Sequence, residues 1–321
     1  MLLDIILPVL RLFALTLGGY LVFRITVLRR ATLRPLVWVT TNLVLPFYFI
    51  HTFPDRWSVG MEAGWIWVVV FFVSYLVFLG AQLVLGKLLI NRIPLVQTEY
   101  PRELLVIFAM HNAGYIPLPI IAALAPPAVT LYLSFHVMAF MFSFFTIAVW
   151  IIQGAAGRRP KIPINGPIIG LVVGLILAVT GVYGQAPVWL TAPFRFSARI
   201  ALDLIMVVLG GVLASIPAKA LRFRREFGGY VLFKMVLWPA LVVGILVLIP
   251  LRSLDPTLAS GIKLAMVLEA AVPPATNIVV ITKAYGTDEQ VEYAGSAIVV
   301  TYLAGVVLIP LFLVISRLLL G

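Results

Sequence analysis

The chain of 321 residues contains no cysteine. Disulfides, thiolate metal centres and thiol nucleophiles are therefore excluded. Charge is also scarce, at 11% of residues against roughly 25% in a typical soluble domain. Acids are the rarer sign, with 12 Asp and Glu against 23 Lys and Arg, and three histidines complete the set. A Gly-rich phosphate loop followed by Lys-Ser/Thr is missing too, which argues against transport driven by ATP. No nucleophile–base constellation supports a membrane-embedded enzyme. Three scattered histidines without cysteine offer no metal-ligand spacing, so neither a zinc nor a haem site is expected, and no cofactor. Apolar residues fill 63% of the chain and the mean hydropathy is +1.13. A soluble domain of this length could not hide so much apolar surface, so most of it must face lipid or other spans.

The apolar residues fall in about ten runs, each near the roughly 20 residues that cross a hydrocarbon core. They lie near 3–23, 34–53, 63–88, 102–124, 128–154, 163–183, 196–217, 228–250, 257–284 and 292–318. The expected fold is an all-α, multi-pass protein of the plasma or inner membrane. The first run is not read as a cleaved signal peptide, because Met1-Leu2-Leu3-Asp4 has no basic head and Arg24, Arg29 and Arg30 follow the apolar stretch.

The net charge of +11 would suggest nucleic acid in a soluble chain, but here the basic residues sit between the runs. Arg24, Arg29, Arg30 and Arg34 mark the first connection, and Lys87, Arg92 and Arg102 the third. Arg158, Arg159 and Lys161 mark the fifth, and Lys219, Arg222, Arg224 and Arg225 the seventh. Even connections hold only Arg56, then none, then Arg195 and Arg199, then Arg252. Cytoplasmic loops attract Lys and Arg, so the odd connections should be cytoplasmic and both termini outside. An odd number of spans per half inverts the second half. Residues 1–155 would form the first repeat, 156–161 a short basic cytoplasmic link, and 162–321 the second inverted repeat.

Two runs in equivalent places of these halves, the fourth and ninth, are interrupted. One carries His111-Asn112-Ala113-Gly114-Tyr115-Ile116-Pro117-Leu118-Pro119, the other Ala270-Ala271-Val272-Pro273-Pro274-Ala275-Thr276-Asn277. Proline removes a backbone donor and clashes with the preceding turn, so each helix should break there. In a bilayer, freed backbone groups are tolerated only where they are buried in protein or line a cavity. Paired broken spans point to the binding site of a secondary transporter.

At these residues the chain resembles the auxin efflux carrier family, in its prokaryotic branch with bacterial malate and malonate carriers. The resemblance rests on Asn112-Ala113-Gly114-Tyr115-Ile116-Pro117, on Ala270-Ala271-Val272-Pro273, on Ala284-Tyr285-Gly286-Thr287-Asp288 and on Asn165-Gly166-Pro167-Ile168. It covers nearly the whole chain, without the long cytoplasmic loop of plant members. It implies ten spans in two inverted five-helix repeats, with helices 4 and 9 crossing at their prolines beside an organic-anion site. Sodium–bile acid symporters share that architecture and superfamily, but Pro273-Pro274 stand where their Gln-Asn pair would be. A sodium-binding Glu269 stays open on that comparison. Sodium–proton antiporters usually place acids at an early break, and residues 111–119 have none.

The chemistry can be read independently. Half-helices starting at a break point positive dipole ends at the gap, which suits a carboxylate. Asn112 can donate and accept, and Thr276 and Asn277 offer similar groups from the second break. His111 and Tyr115 complete the expected substrate-binding set, with Pro117, Pro119, Pro273 and Pro274 as helix breaks. The plainer alternative is that Asn112 and Asn277 bridge helices, and that His111 packs. Only Asp203 and Glu269 lie well inside predicted spans, where acids are costly and functional by default. Asp203 has Arg199 one helical turn earlier, so an ion pair and a transport role both stand. Glu269 has only Ala265, Met266, Val272 and Pro273 on its helical flanks and is the favoured ion-coupling residue, for Na+ or H+. His51 and His136 are expected to pack or to sit at the interface. Trp38, Trp57, Trp65, Trp67 and Trp189 read as interfacial anchors. The expectation is a secondary carrier of small organic anions working by alternating access, with an open channel as rival. Its partners would be the anion and membrane lipid, with a homodimer allowed and no nucleic acid.

Overall fold

The computed structural model describes residues 2–25, 27, 29–62, 64–154, 166–216 and 223–320. The basic link with Arg158, Arg159 and Lys161, the entry residue Asn165, and the loop residues Lys219 and Arg222 fall outside them.

The described chain is helical throughout: α1 (Leu2–Arg24), α2 (Ala31–Glu62), α3 (Ile66–Arg92), α4 (Pro101–Ala109), α5 (Pro117–Leu124) and α6 (Pro127–Gln153) in the first half. The second half holds α7 (Gly166–Thr180), α8 (Val188–Ser215), α9 (Arg225–Leu248), α10 (Pro256–Ala271), α11 (Ile278–Tyr285) and α12 (Asp288–Leu320). Among the described residues seven of these, α1, α2, α3, α6, α8, α9 and α12, are long and apolar enough to cross a membrane. The remaining three expected runs appear as the shorter α7 and as the pairs α4/α5 and α10/α11. Both predicted breaks are present.

Proline shapes the helices in two ways. It opens α4, α5, α6 and α10 at the first helical position, where its missing N–H would have no partner anyway. Asp255 adds a cap to α10 by accepting from the N–H groups of Thr257 (2.9 Å) and Leu258 (3.1 Å). Widened π turns at Arg29–Leu33, leading into α2, at Thr40–Val44 inside α2 and at Val231–Leu237 inside α9 each end two residues before a proline: Pro35, Pro46 and Pro239. A widened turn relieves the clash of the proline ring with the carbonyl four residues back, so these long helices continue where a regular turn would break.

Small residues set the closest contacts. A Cβ on Gly210 of α8 would stand 1.9 Å from the Thr16 carbonyl oxygen of α1, and one on Gly19 of α1 would stand 2.1 Å from that of Val207. The α7–α2 contact is built alike, with Gly170 against Pro46 and Gly174 against Phe49. Close backbone approach drives helix association where lipid is as apolar as the side chains. Elsewhere α3 packs on α4 and α6, α9 on α10 and α12, and α10 also reaches α6 while α4 reaches α12. Trp38, Trp65 and Trp189 are exposed, as an interfacial position requires, while Trp57 and Trp67 pack partly on the core. The two breaks lie in the interior, and α4, α6 and α10 are mostly buried.

Candidate functional site

α4 stops at Ala109 and α5 starts only at Pro117; α10 stops at Ala271 and α11 starts at Ile278. Each gap frees backbone groups in the protein's interior, and each satisfies the other's. Asn112 N–H donates to Pro273 O (2.9 Å) and Ala275 N–H donates to Met110 O (2.9 Å), closing an antiparallel bridge at His111 and Pro274. Proline 273 has no donor but still accepts, which is why the crossing uses its carbonyl. The paired segment is Met110–Asn112, upstream of Pro117. Pro117 and Pro119 lie in the first turn of α5, so they start the second half-helix rather than form the crossing.

On one side of the crossing a cavity opens between α2, α6, α8 and both breaks. Asn112, Gly114, Tyr115, Ala275, Thr276 and Asn277 contribute its polar and backbone wall, and Leu45, Phe49, Phe140 and Ile205 its apolar wall. Its free volume is about 20 Å³, enough for one water but not for a carboxylic acid. The Asn112 amide is itself engaged: Nδ2–H donates to Tyr302 OH (2.6 Å) and Oδ1 accepts from Tyr115 N–H (3.0 Å). One amide hydrogen and one carbonyl lone pair remain uncommitted. The Tyr115 hydroxyl lies against Thr41 and Asn277, so residues of the two breaks do meet on this side.

On the other side, fully buried, stand His111, Glu269 and His136 of α6. Glu269 Oε2 lies 3.1 Å from His111 Nε2 and 3.4 Å from His136 Nε2, and the two ring nitrogens are 3.3 Å apart. These are ion-pair distances, yet neither Glu269 oxygen receives an aligned hydrogen bond, and His111 Nδ1 has no partner. His136 Nδ1 faces Ser74 Oγ at 3.0 Å, and Ser74 spends its own hydrogen on Phe71 O (2.8 Å). Ser74 therefore accepts from His136 Nδ1–H, which leaves a lone pair on His136 Nε2 when the ring is neutral. Tyr75, whose hydroxyl donates to Met110 Sδ, packs its ring against both imidazoles. The buried Lys234 of α9 donates to Ala270 O (2.9 Å) and feels the charge of the neighbouring Glu269.

The three ligand-type atoms of His111, His136 and Glu269 lie within 4.8 Å of one another, so they form a grouping that sequence spacing did not reveal. Metal ligation would need lone pairs on both Nε2 atoms, which puts a proton on His111 Nδ1 with no acceptor. The adjacent Lys234 ammonium further disfavours a dication.

Sequence reasoning is corrected at three places. Asp203 pairs with Arg11 of α1 (2.6 Å), not with Arg199, and at 44% side-chain exposure it is no buried ion site. His136, expected to pack, belongs to the Glu269 cluster. Glu269 lacks partners along its own helix but has two histidines from other elements. Lys234, Ser74 and Tyr302 were missed. Lys234 carried a usable signal, being a lone cation inside an apolar run; nothing marked the other two.

No curated protein matches the chain. The protein-family model described as membrane transport protein matches residues 159–313, which include Lys234, Glu269 and the second break. That family transports rather than catalyses, and the seven long apolar helices make the chain an integral, multi-pass membrane protein. The matched residues carry the Ala270-Ala271-Val272-Pro273 and Ala284-Tyr285-Gly286-Thr287-Asp288 segments on which the resemblance partly rests, so the match to a family of membrane transport proteins supports the resemblance to the auxin efflux carrier family.

Proposed function

We propose that this transporter carries small organic anions by alternating access, binding them in the cavity at Asn112, Thr276 and Asn277. The observation that carries the reading is the reciprocal backbone pairing of two broken helices, which starts two half-helices, α5 and α11, beside one cavity. Their positive dipole ends favour a carboxylate.

Two inverted repeats, 1–155 and 162–321, support alternation. Exchanging the halves turns the α1–α8 contact into α7–α2, α3–α4 into α9–α10, and α4–α12 into α10–α6; all six contacts are present. Rocking of one such unit against the other would open the cavity to either side. On the side of the odd connections the protein is closed by Tyr100 stacked on Tyr293 (4.6 Å), with the Arg224 guanidinium over both rings (5.3 and 5.4 Å). The basic odd connections favour a cytoplasmic position for that layer, with both termini outside. In intact cells, an impermeant thiol reagent added outside should leave Arg158→Cys unlabelled; labelling overturns this orientation. The absence of native cysteine makes that readout clean.

Purified protein should gain thermal stability with one class among monocarboxylates, dicarboxylates and aromatic acids. Proteoliposomes should then take up that acid saturably and accelerate its exchange under counterflow. Non-saturable flux without counterflow would identify a channel, and failure of every acid to bind or move would reject the organic-anion reading.

A further inference from the structure

We propose that His111, His136 and Glu269 form a proton-binding site, and that the proton it takes up couples substrate movement to a proton gradient.

Glu269 is fully buried, and neither of its oxygens has an aligned hydrogen bond, although Oε2 stands within 3.4 Å of two imidazole nitrogens. A buried charge whose nearest donors are poorly aligned is costly for a protein to hold. His136 adds to that cost. Its Nδ1–H is committed to Ser74, so its neutral ring presents a lone pair to the Glu269 carboxylate and to His111 Nε2. One N–H, that of His111 Nε2, has to serve both acceptors. A single added proton, taken from water and shared between Glu269 Oε2 and His136 Nε2, removes the clash of lone pairs and raises the cluster's charge by one.

Sodium fits poorly in the same place. It is a hard cation that takes oxygen ligands, and two nitrogens stand against Oε2. Asn112, the other oxygen donor expected in a sodium cage, turns its carbonyl to Tyr115 N–H instead. The charged and titratable groups facing the cluster are Lys234 from α9 and Tyr75 from α3. Lys234 offsets the carboxylate before the proton arrives. It repels the proton afterwards, so release is not blocked.

Position supplies the coupling. His111 of the proton cluster and Asn112 of the substrate cavity are consecutive residues of one break. Glu269 precedes the second break, and Thr276 and Asn277 follow it. A movement of the crossing that admits a substrate cannot leave the cluster unchanged. This inference rests on the transport reading above, but one arm of its test does not depend on any substrate.

That arm is the melting temperature of the purified protein between pH 5 and 8. Wild type should show a pH-dependent midpoint that Glu269→Gln and His136→Gln flatten, whereas loss of packing alone would lower the midpoint equally at every pH. The second arm uses proteoliposomes and radiolabelled malonate. A pH difference of one unit, acid on the side of addition, should raise accumulation up to about tenfold for one proton per substrate. Glu269→Gln should abolish that increase while retaining malonate exchange, and replacing sodium by potassium should change nothing. If malonate is not carried but the pH profile behaves as stated, the substrate class fails and the proton site stands. An unaltered pH profile in both variants, or a stoichiometric transition metal in the purified protein, overturns the proton site.

Discussion

Lys234→Met is expected to destabilise the protein by about 3–5 kcal/mol, and adding Glu269→Gln is expected to restore most of that loss. Among the described residues Lys234 is the buried Lys or Arg, and its ammonium donates to the Ala270 carbonyl at the end of α10. Its other tie is electrostatic, to the carboxylate of the preceding residue, Glu269. Removing either partner alone leaves an uncompensated charge away from water, which is why the single variants should be worse than the double. The measurement is the unfolding midpoint of purified wild type, both single variants and the double variant at one pH. Losses that add within about 0.5 kcal/mol would show that the two groups do not interact. The Ala270 carbonyl stays unsatisfied in both variants containing Lys234→Met, so recovery should be incomplete.

How much of this was legible in the sequence depends on the range of the signal. The breaks were legible because proline acts locally: two consecutive prolines, Pro273-Pro274, remove two donors in one turn, which disfavours continuing α10. The spans were legible because apolar runs near 20 residues have few alternatives. Helix ends were less so. α2 extends to Glu62, well beyond the expected 53, because the polar stretch His51–Arg56 continues the helix through Pro54. Asp203 was misassigned for a similar reason. Helical spacing offered Arg199, whereas Arg11 lies 192 residues away and reaches it only through the glycine-mediated contact of α1 with α8. The His111–His136–Glu269 cluster needed three elements to converge. His136 read as a packing histidine and His111 as a substrate-binding one, because nothing in the spacing of residues 111, 136 and 269 brings them together. The crossing does so, by pinning α4 to α10.

Asn112→Ala is expected to weaken transport by roughly ten- to a hundred-fold in affinity, the consequence of losing about 1.5–3 kcal/mol from a hydrogen bond to a charged group. From sequence alone the variant would be expected to leave folding largely intact. The structure revises that, because the same amide braces Tyr302 OH and Tyr115 N–H and its removal leaves both without this partner. A measurable fall in melting temperature should accompany the kinetic effect. The two roles separate through Tyr302→Phe, which deletes the hydroxyl but keeps the Asn112 amide. If Asn112 binds substrate directly, Tyr302→Phe frees an amide hydrogen and should keep affinity within a few-fold of wild type. If Asn112 is only a brace, Tyr302→Phe and Asn112→Ala should weaken uptake alike. Asn112→Asp completes the series. It retains the acceptor for Tyr115 N–H but sets a negative charge beside the positive half-helix ends, so it should repel an anionic substrate more strongly than alanine does. Uptake of the transported acid by Asn112→Asp at or above the Asn112→Ala level would place the carboxylate away from this residue.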